Sequence, residues 1–149
     1  MKPGIQTLFA EAGEAACYAL SGGDVADEYL QKHGRPGVDP CQALLVGIDK
    51  KRIYYNPNDE NDEKNFYVDN MAGFLEDLTG VRWEVTKAAP DAVIPPGSYV
   101  IERWERVKTG AVLGHFARTK APRPFNSLTR SLCVERGTLV SLRICTPLD

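Results

Sequence analysis

The sequence predicts a single α+β domain, with helices in its first part and an antiparallel β-sheet in its last third. Residues 5–20 are rich in Ala, Glu and Leu, with Leu8, Ala12, Ala16 and Leu20 at helical spacing. Residues 98–145 contain short runs of β-branched and aromatic side chains separated by turn signals. Because helices come first and strands follow, without alternation, we predict one α+β domain over residues 1–149.

The predicted helices lie at residues 5–20, 25–33, 41–48 and 71–78. Gly13 weakens the first of them, and the Ser-Gly-Gly run at residues 21–23 predicts its end. Pro40, which follows an aspartate, favours the start of the third. Asn70, or the aspartate before it, caps the fourth, and Gly80 ends it.

The predicted strands lie at residues 53–55, 82–86, 98–107, 112–119, 125–128, 132–135 and 139–145. Arg136 and Gly137 predict a hairpin turn between the last two. Residues 56–65 are polar and acidic, which is typical of a surface loop.

The overall charge argues against nucleic acid as a partner, and the lengths of the apolar runs argue against a membrane span. The chain has 18 basic and 20 acidic side chains, so it lacks the basic surplus that binding to nucleic acid requires. No apolar run is long enough to span a membrane, and the N-terminus does not resemble a signal peptide. We therefore expect a cytoplasmic protein, although release by lysis or by another export route would leave no such mark.

The cysteine spacing argues against metal and redox sites. The four cysteines contain no CxxC pair, which structural zinc sites and thioredoxin-like motifs use. The acidic run from Asp59 to Glu63 lacks the alternating ligands of a calcium loop. We expect free thiols and neither a metal nor a cofactor. One question is whether any of these thiols is reactive.

Cys17 is the first candidate nucleophile. A helix break at Gly13 would place it near a helix N-terminus, where the dipole and free N–H groups favour the thiolate. The alternative is that Cys17 is a small buried core residue. Cys41, at another helix start, has the same two interpretations, and we take it as structural because neither histidine is clearly placed to serve it.

His115 and Asn126 are the candidate partners of Cys17. A histidine beside a thiol can take its proton and later return it to a leaving group. Asn126 follows eleven residues later, enough for a strand, a turn and the entry into a neighbouring strand. It can then accept an N–H bond from the imidazole and fix its orientation. The alternatives are a half-buried polar histidine and a turn-forming asparagine.

Three short motifs resemble the papain-like fold, and within it the small NlpC-type and bacteriocin-processing-peptidase-like proteins of bacteria and phages. They are Ala16-Cys17-Tyr18 before the spacer, Gly114-His115-Phe116 at a strand start, and Phe125-Asn126 beyond the next turn. The closing residues 134–144 resemble the final hairpin of such proteins. Ala16 stands where these proteins often have glycine, and Ser127 where they have proline.

The resemblance implies a cysteine peptidase or amidase that acts on a peptide or on the peptide stem of the cell wall. Cys17 would be the nucleophile, His115 the base and then the acid, and Asn126 the residue that orients His115. Gln6 is the candidate for the oxyanion-stabilising donor. The alternative is a papain-like domain without activity, used as a binding or structural module of a phage or mobile element.

Overall fold

The molecule consists of N-terminal helices followed by an antiparallel sheet, which confirms the predicted α+β layout. The computed structural model describes residues 5–56, 66–127 and 133–148, with the backbone alone for residues 5–14. The helices are α1 (Ile5–Lys32), α2 (Pro40–Asp49), α3 (Met71–Thr79) and α4 (Cys133–Arg136). The strands are β1 (Ile53–Tyr55), β2 (Phe66–Val68), β3 (Trp83–Ala88), β4 (Tyr99–Lys108), β5 (Ala111–Ala117) and β6 (Thr138–Pro147). Within these ranges, no helix is both long and apolar enough to cross a lipid bilayer.

The main sheet has four strands in the order β3-β6-β4-β5, and each neighbouring pair is antiparallel. β5 is therefore an outer strand of this sheet. Its register with β4 puts Arg103 opposite Phe116 and Trp104 opposite His115. A separate ribbon pairs β1 with β2, and the sequence patterns predict β1 but not β2.

The two faces of the main sheet differ, because successive residues of a strand point to opposite sides. One face, here called the helix face, carries Tyr99, Ile101, Arg103, Phe116 and Cys145. The other, called the far face, carries Val100, Glu102, Trp104, His115 and Leu142. α1 packs on the helix face, where the Tyr29 ring lies 5.2 Å from Trp83 and the Tyr18 ring 4.6 Å from Phe116. The main hydrophobic core fills this space between helix and sheet.

α1 is one continuous helix, so the predicted break at residues 21–23 is wrong. Both glycines of that run lie where another element approaches the helix closely. A Cβ atom at Gly22 would be 2.6 Å from Met71 Sδ of α3, and one at Gly23 would be 2.9 Å from Pro40 Cα of α2. The glycines therefore permit close helix packing, which offsets their weak helix propensity. The predicted end near Gly34 is correct, with φ +69° at that residue.

The ends of α2 and α3 are as predicted. The Asp39 side chain accepts a hydrogen bond from Cys41 N at the start of α2. The Asn70 side chain accepts one from Gly73 N at 2.8 Å, and Gly80 ends α3 with φ +80°. These caps involve residues within three positions of each other, so the local sequence specifies them.

Arg118, just beyond β5, ties α1 to the sheet. Its side chain is 3% exposed and donates to Asp24 Oδ2 at 2.7 Å and to Glu28 Oε1 at 2.9 Å, both on α1. Its Nε also donates to the carbonyl oxygen of Val100 at 2.9 Å. Burial raises the pKa of Asp24, although the Arg118 guanidinium opposes this change.

Two predictions for the C-terminal part are wrong. Residues 133–136 form the short helix α4 instead of a strand, so Arg136 and Gly137 connect a helix to β6 and do not form a hairpin turn. A Cβ at Gly137 would collide with the carbonyl oxygens of Cys133 and Glu105, so glycine is needed for this close connection. In the segment predicted as strand 125–128, Phe125 forms an isolated antiparallel bridge with Arg118, and residue 128 lies outside the described residues.

Candidate functional site

His115 and Asn126 meet as the sequence predicts. Arg118 N donates to the carbonyl oxygen of Phe125 at 2.7 Å, and Phe125 N donates back at 3.0 Å. This bridge returns the chain alongside the end of β5, and Asn126 follows it directly. The His115 Nε2 and Asn126 Oδ1 atoms lie 2.6 Å apart. His115 is 1% exposed and Asn126 is half-buried, so the pair is largely shielded from water.

The atoms of this contact define the chemistry of the imidazole. A carboxamide oxygen only accepts hydrogen bonds, so Nε2 of His115 carries the hydrogen. In the neutral ring, Nδ1 is then the nitrogen with the lone pair, which can take a proton from an acid. Asn126 thus fixes both the tautomer and the orientation of His115, as the third member of a catalytic triad does.

Cys17 lies in the middle of α1 and not at a helix N-terminus. The helix runs from Ile5 past Gly13 without a break, so the backbone groups next to Cys17 belong to a continuous helix. The helix dipole acts mainly within the first and last turns, so it does not favour the thiolate here. Cys17 is 2% exposed and belongs to the main core. The structure thus contradicts the N-terminal placement on which the predicted reactivity depended.

α1 crosses β5 next to both Cys17 and His115. Their chain neighbours Tyr18 and Phe116 are in ring contact at 4.6 Å. Because Phe116 faces α1, strand alternation turns His115 to the far face. Trp104 lies opposite His115 in the register and donates its indole N–H to Glu102 on that same face. The structure therefore joins His115 to Asn126 and packs α1, the helix that carries Cys17, against β5.

Two guanidinium groups lie close to the Phe116 ring at this crossing. The guanidinium groups of Arg103 and Arg143 lie 5.9 and 5.6 Å from the centre of the Phe116 ring. The charge of Arg143 also acts on Tyr18, whose pKa is nevertheless raised because burial disfavours the phenolate.

Gln6 lies in the first turns of α1, and its side chain is outside the described part of the structure. Eleven residues of continuous helix separate it from Cys17, or about 16 Å along the axis. The backbones of the two residues are thus far apart, and the oxyanion role of Gln6 stays a prediction.

The other three thiols occupy different environments. Burial raises the pKa of Cys145 to about 12. Burial and the nearby Asp39 raise the pKa of Cys41, as expected for a structural thiol. Cys133 is buried, and its Sγ lies 3.6 Å from the carbonyl oxygen of Leu113, two residues before His115 on β5. The sequence patterns do not single out Cys133, because its surroundings resemble a strand.

Glu102 is a second residue that the sequence patterns do not single out. Its side chain is 1% exposed, although the alternating charges of residues 102–106 are typical of a strand with a solvated face. Oε1 accepts from Trp104 Nε1 at 3.0 Å, from Thr119 N at 3.2 Å and from Thr119 Oγ1 at 2.7 Å. Oε2 accepts from Lys120 N at 3.1 Å. Glu102 thus holds the turn that leads from β5 to Asn126.

No protein-family model, no curated protein and no solved structure matches this chain. The papain-like resemblance therefore stays a prediction, and the function is argued from the geometry of the site.

Proposed function

We propose that this protein is a thiol hydrolase of papain-like type that cleaves an amide bond through a thioester intermediate. The observation that carries the proposal is the 2.6 Å contact between His115 Nε2 and Asn126 Oδ1. It supports an imidazole held in the tautomer that a general base needs, by the residue predicted for that role.

In this proposal Cys17 attacks the carbonyl carbon of the substrate amide. His115 takes the thiol proton on Nδ1 and returns it to the leaving amine. Water then attacks the thioester, with His115 again as base, and an amine in place of water would give acyl transfer. The substrate class is a peptide or the peptide stem of the cell wall. The attack requires the Cys17 thiol to lie within reach of His115 Nδ1.

The second candidate function is a papain-like domain without activity that serves as a binding or structural module. Two observations favour it: Cys17 is buried in the middle of a continuous helix, and strand alternation directs His115 to the far face. In that case the His115–Asn126 contact stabilises the C-terminal part of the fold, and Cys17 is a core residue.

The test is the rate of iodoacetamide alkylation at each cysteine from pH 5 to 10, read by mass spectrometry. The hydrolase proposal predicts that Cys17 reacts faster than Cys41 and Cys145 below pH 7. The variants His115→Ala and Asn126→Ala should remove that advantage, and circular dichroism should show that both remain folded. Asn126→Asp, which keeps an acceptor oxygen, should retain it.

Two results would contradict the hydrolase proposal. In the first, Cys17 is inert in the folded protein, or titrates near about 8.5 like an unperturbed thiol. In the second, Cys133 is the thiol whose reactivity depends on His115. The first result favours the second candidate function, and the second moves the nucleophile to Cys133.

A further inference from the structure

A cavity of about 310 Å³ lies where β4 begins and β5 ends. Its walls come mainly from three segments of the chain, and Glu28 of α1 also contributes. The loop after β3 contributes Ala92 and Ile94, β4 contributes Val100 and Glu102, and the turn after β5 contributes Arg118 and residues 120–122. Leu142 of β6 also lines the cavity, which is within the usual size range of small-molecule sites.

The cavity adjoins the His115–Asn126 pair. Val100, Glu102 and Leu142 lie on the far face, which also carries His115. Glu102 is opposite Ala117 in the register, and Ala117 is two residues from His115, or about 7 Å along the strand. The turn that forms one wall is the same segment that leads to Asn126.

Two charged groups in the walls, those of Arg118 and Glu102, are bound within the protein. Arg118 is paired with Asp24 and Glu28, and Glu102 accepts hydrogen bonds from Trp104, Thr119 and Lys120. Apart from Ser98, Tyr99 and the Lys120 side chain, the surface that remains for a ligand is that of aliphatic side chains. An apolar group gains most from such a surface, because its burial removes apolar area from water without leaving a polar group unpaired.

We propose that this cavity binds an aliphatic side chain of a peptide substrate, one or two residues from the scissile bond. That a scissile bond lies next to the cavity rests on the proposed function, whereas binding of an aliphatic side chain in the cavity does not. The substrate class is thus narrowed to peptides that carry a leucine-sized apolar residue next to the cleavage site.

The test uses the full chain and three probes in an NMR titration: the N-acetyl, N-methylamide derivatives of leucine, glycine and lysine. We expect the leucine derivative to shift the backbone amide signals of Val100, Lys120 and Leu142. It should bind roughly tenfold or more tightly than the glycine derivative, since its side chain is buried. Equal affinities of the three probes would overturn the inference.

Two neighbouring variants provide a matched control. Ala92 lines the cavity, whereas Val93, the next residue, is 91% exposed and does not line it. Ala92→Trp should fill the cavity and abolish the preference for leucine, and Val93→Trp should leave that preference unchanged. If the two variants behave alike, the cavity is not the binding site.

The outcomes separate this inference from the hydrolase proposal. Selective leucine binding with an inert Cys17 supports the cavity as a peptide-binding site and rejects the hydrolase. An activated Cys17 without selective binding of the leucine derivative leaves the hydrolase proposal in place and rejects the apolar subsite.

Discussion

The two faces of the main sheet bury charged groups in different ways. On the helix face, the guanidinium of Arg118 is matched by the carboxylates of Asp24 and Glu28 from α1. On the far face, the carboxylate of Glu102 accepts hydrogen bonds from the Trp104 indole, from Thr119 and from the backbone N–H of Lys120. Each of these donors is uncharged. Both groups are almost completely shielded from water.

This difference indicates different roles. The ion-pair cluster on the helix face joins residues 90 or more positions apart in sequence, so it fixes α1 on the sheet. Glu102 instead binds backbone N–H groups of the turn that leads to Asn126. Loss of the first should therefore affect mainly global stability, and loss of the second mainly the geometry of the candidate site.

The largest expected effect is that of Arg118→Met. The substitution leaves Asp24 and Glu28 without their partner in a poorly solvated place, which should lower the free energy of unfolding by about 3–5 kcal/mol. Urea denaturation followed by circular dichroism measures this change. The triple variant with Asp24→Asn and Glu28→Gln should recover most of the loss, because it removes the unpaired charges.

The salt bridge between Arg52 and Asp77 is a suitable control for this prediction. Its N–O distance is 2.9 Å, but the side chains are 35% and 24% exposed. Arg52→Met should have a much smaller effect on stability, since solvent screens exposed pairs. A similar loss in the Arg52 and Arg118 variants would show that burial does not account for the role of Arg118.

A smaller effect on stability is expected for Glu102→Ala, about 2 kcal/mol, because several buried donors lose their acceptor. The specific prediction concerns His115. With the turn released, the Nε2–H signal of His115 in the NMR spectrum should lose its protection from exchange, as it does in Asn126→Ala. Glu102→Gln should restore part of this protection, since one acceptor oxygen remains.

Trp104→Phe tests whether that effect comes from the turn. It removes one hydrogen bond to Glu102 but leaves those from Thr119 and Lys120. Protection of the His115 signal should therefore persist in this variant. If the signal is protected equally in Glu102→Ala and in the unmodified protein, Glu102 does not position the site.

The same comparison explains which features the sequence could predict. The contact between His115 and Asn126 joins residues eleven positions apart, and the helix caps at Asp39 and Asn70 are more local still. Local patterns contain this information. They do not show that Gly22 lies against Met71, because a glycine in a helical pattern can equally break the helix or admit a neighbour.

The burial of Glu102 could not be predicted for a related reason. Alternating charges indicate which residues share a face of the strand, but not which face is covered. Here the turn after β5 covers the far face at Glu102, and its position depends on the register with β4. Similarly, the side on which Cys17 meets β5 depends on the packing of α1 and not on local spacing.

The last and smallest prediction concerns pH and the helix face. Burial raises the pKa of the Cys145 thiol from its ordinary value of 9.0 to about 12. Above pH 9 the unfolded chain loses this proton while the folded protein keeps it, so stability falls as pH rises. The slope approaches about 1.4 kcal/mol per pH unit for one group. Burial also raises the pKa of Tyr18, whose contribution begins near its ordinary value of 10.0.

Cys145→Ala should therefore reduce the fall in the free energy of unfolding between pH 9 and 10, and leave the fall at higher pH. Urea denaturation at pH 7 gives the cost of the lost side chain, and the difference in slope above pH 9 gives the effect of the titration. Parallel curves for the variant and the unmodified protein would show that the helix face does not exclude charge at this position. A flattened curve would show that this face accepts a buried charge only where, as at Arg118, partners of opposite charge are supplied.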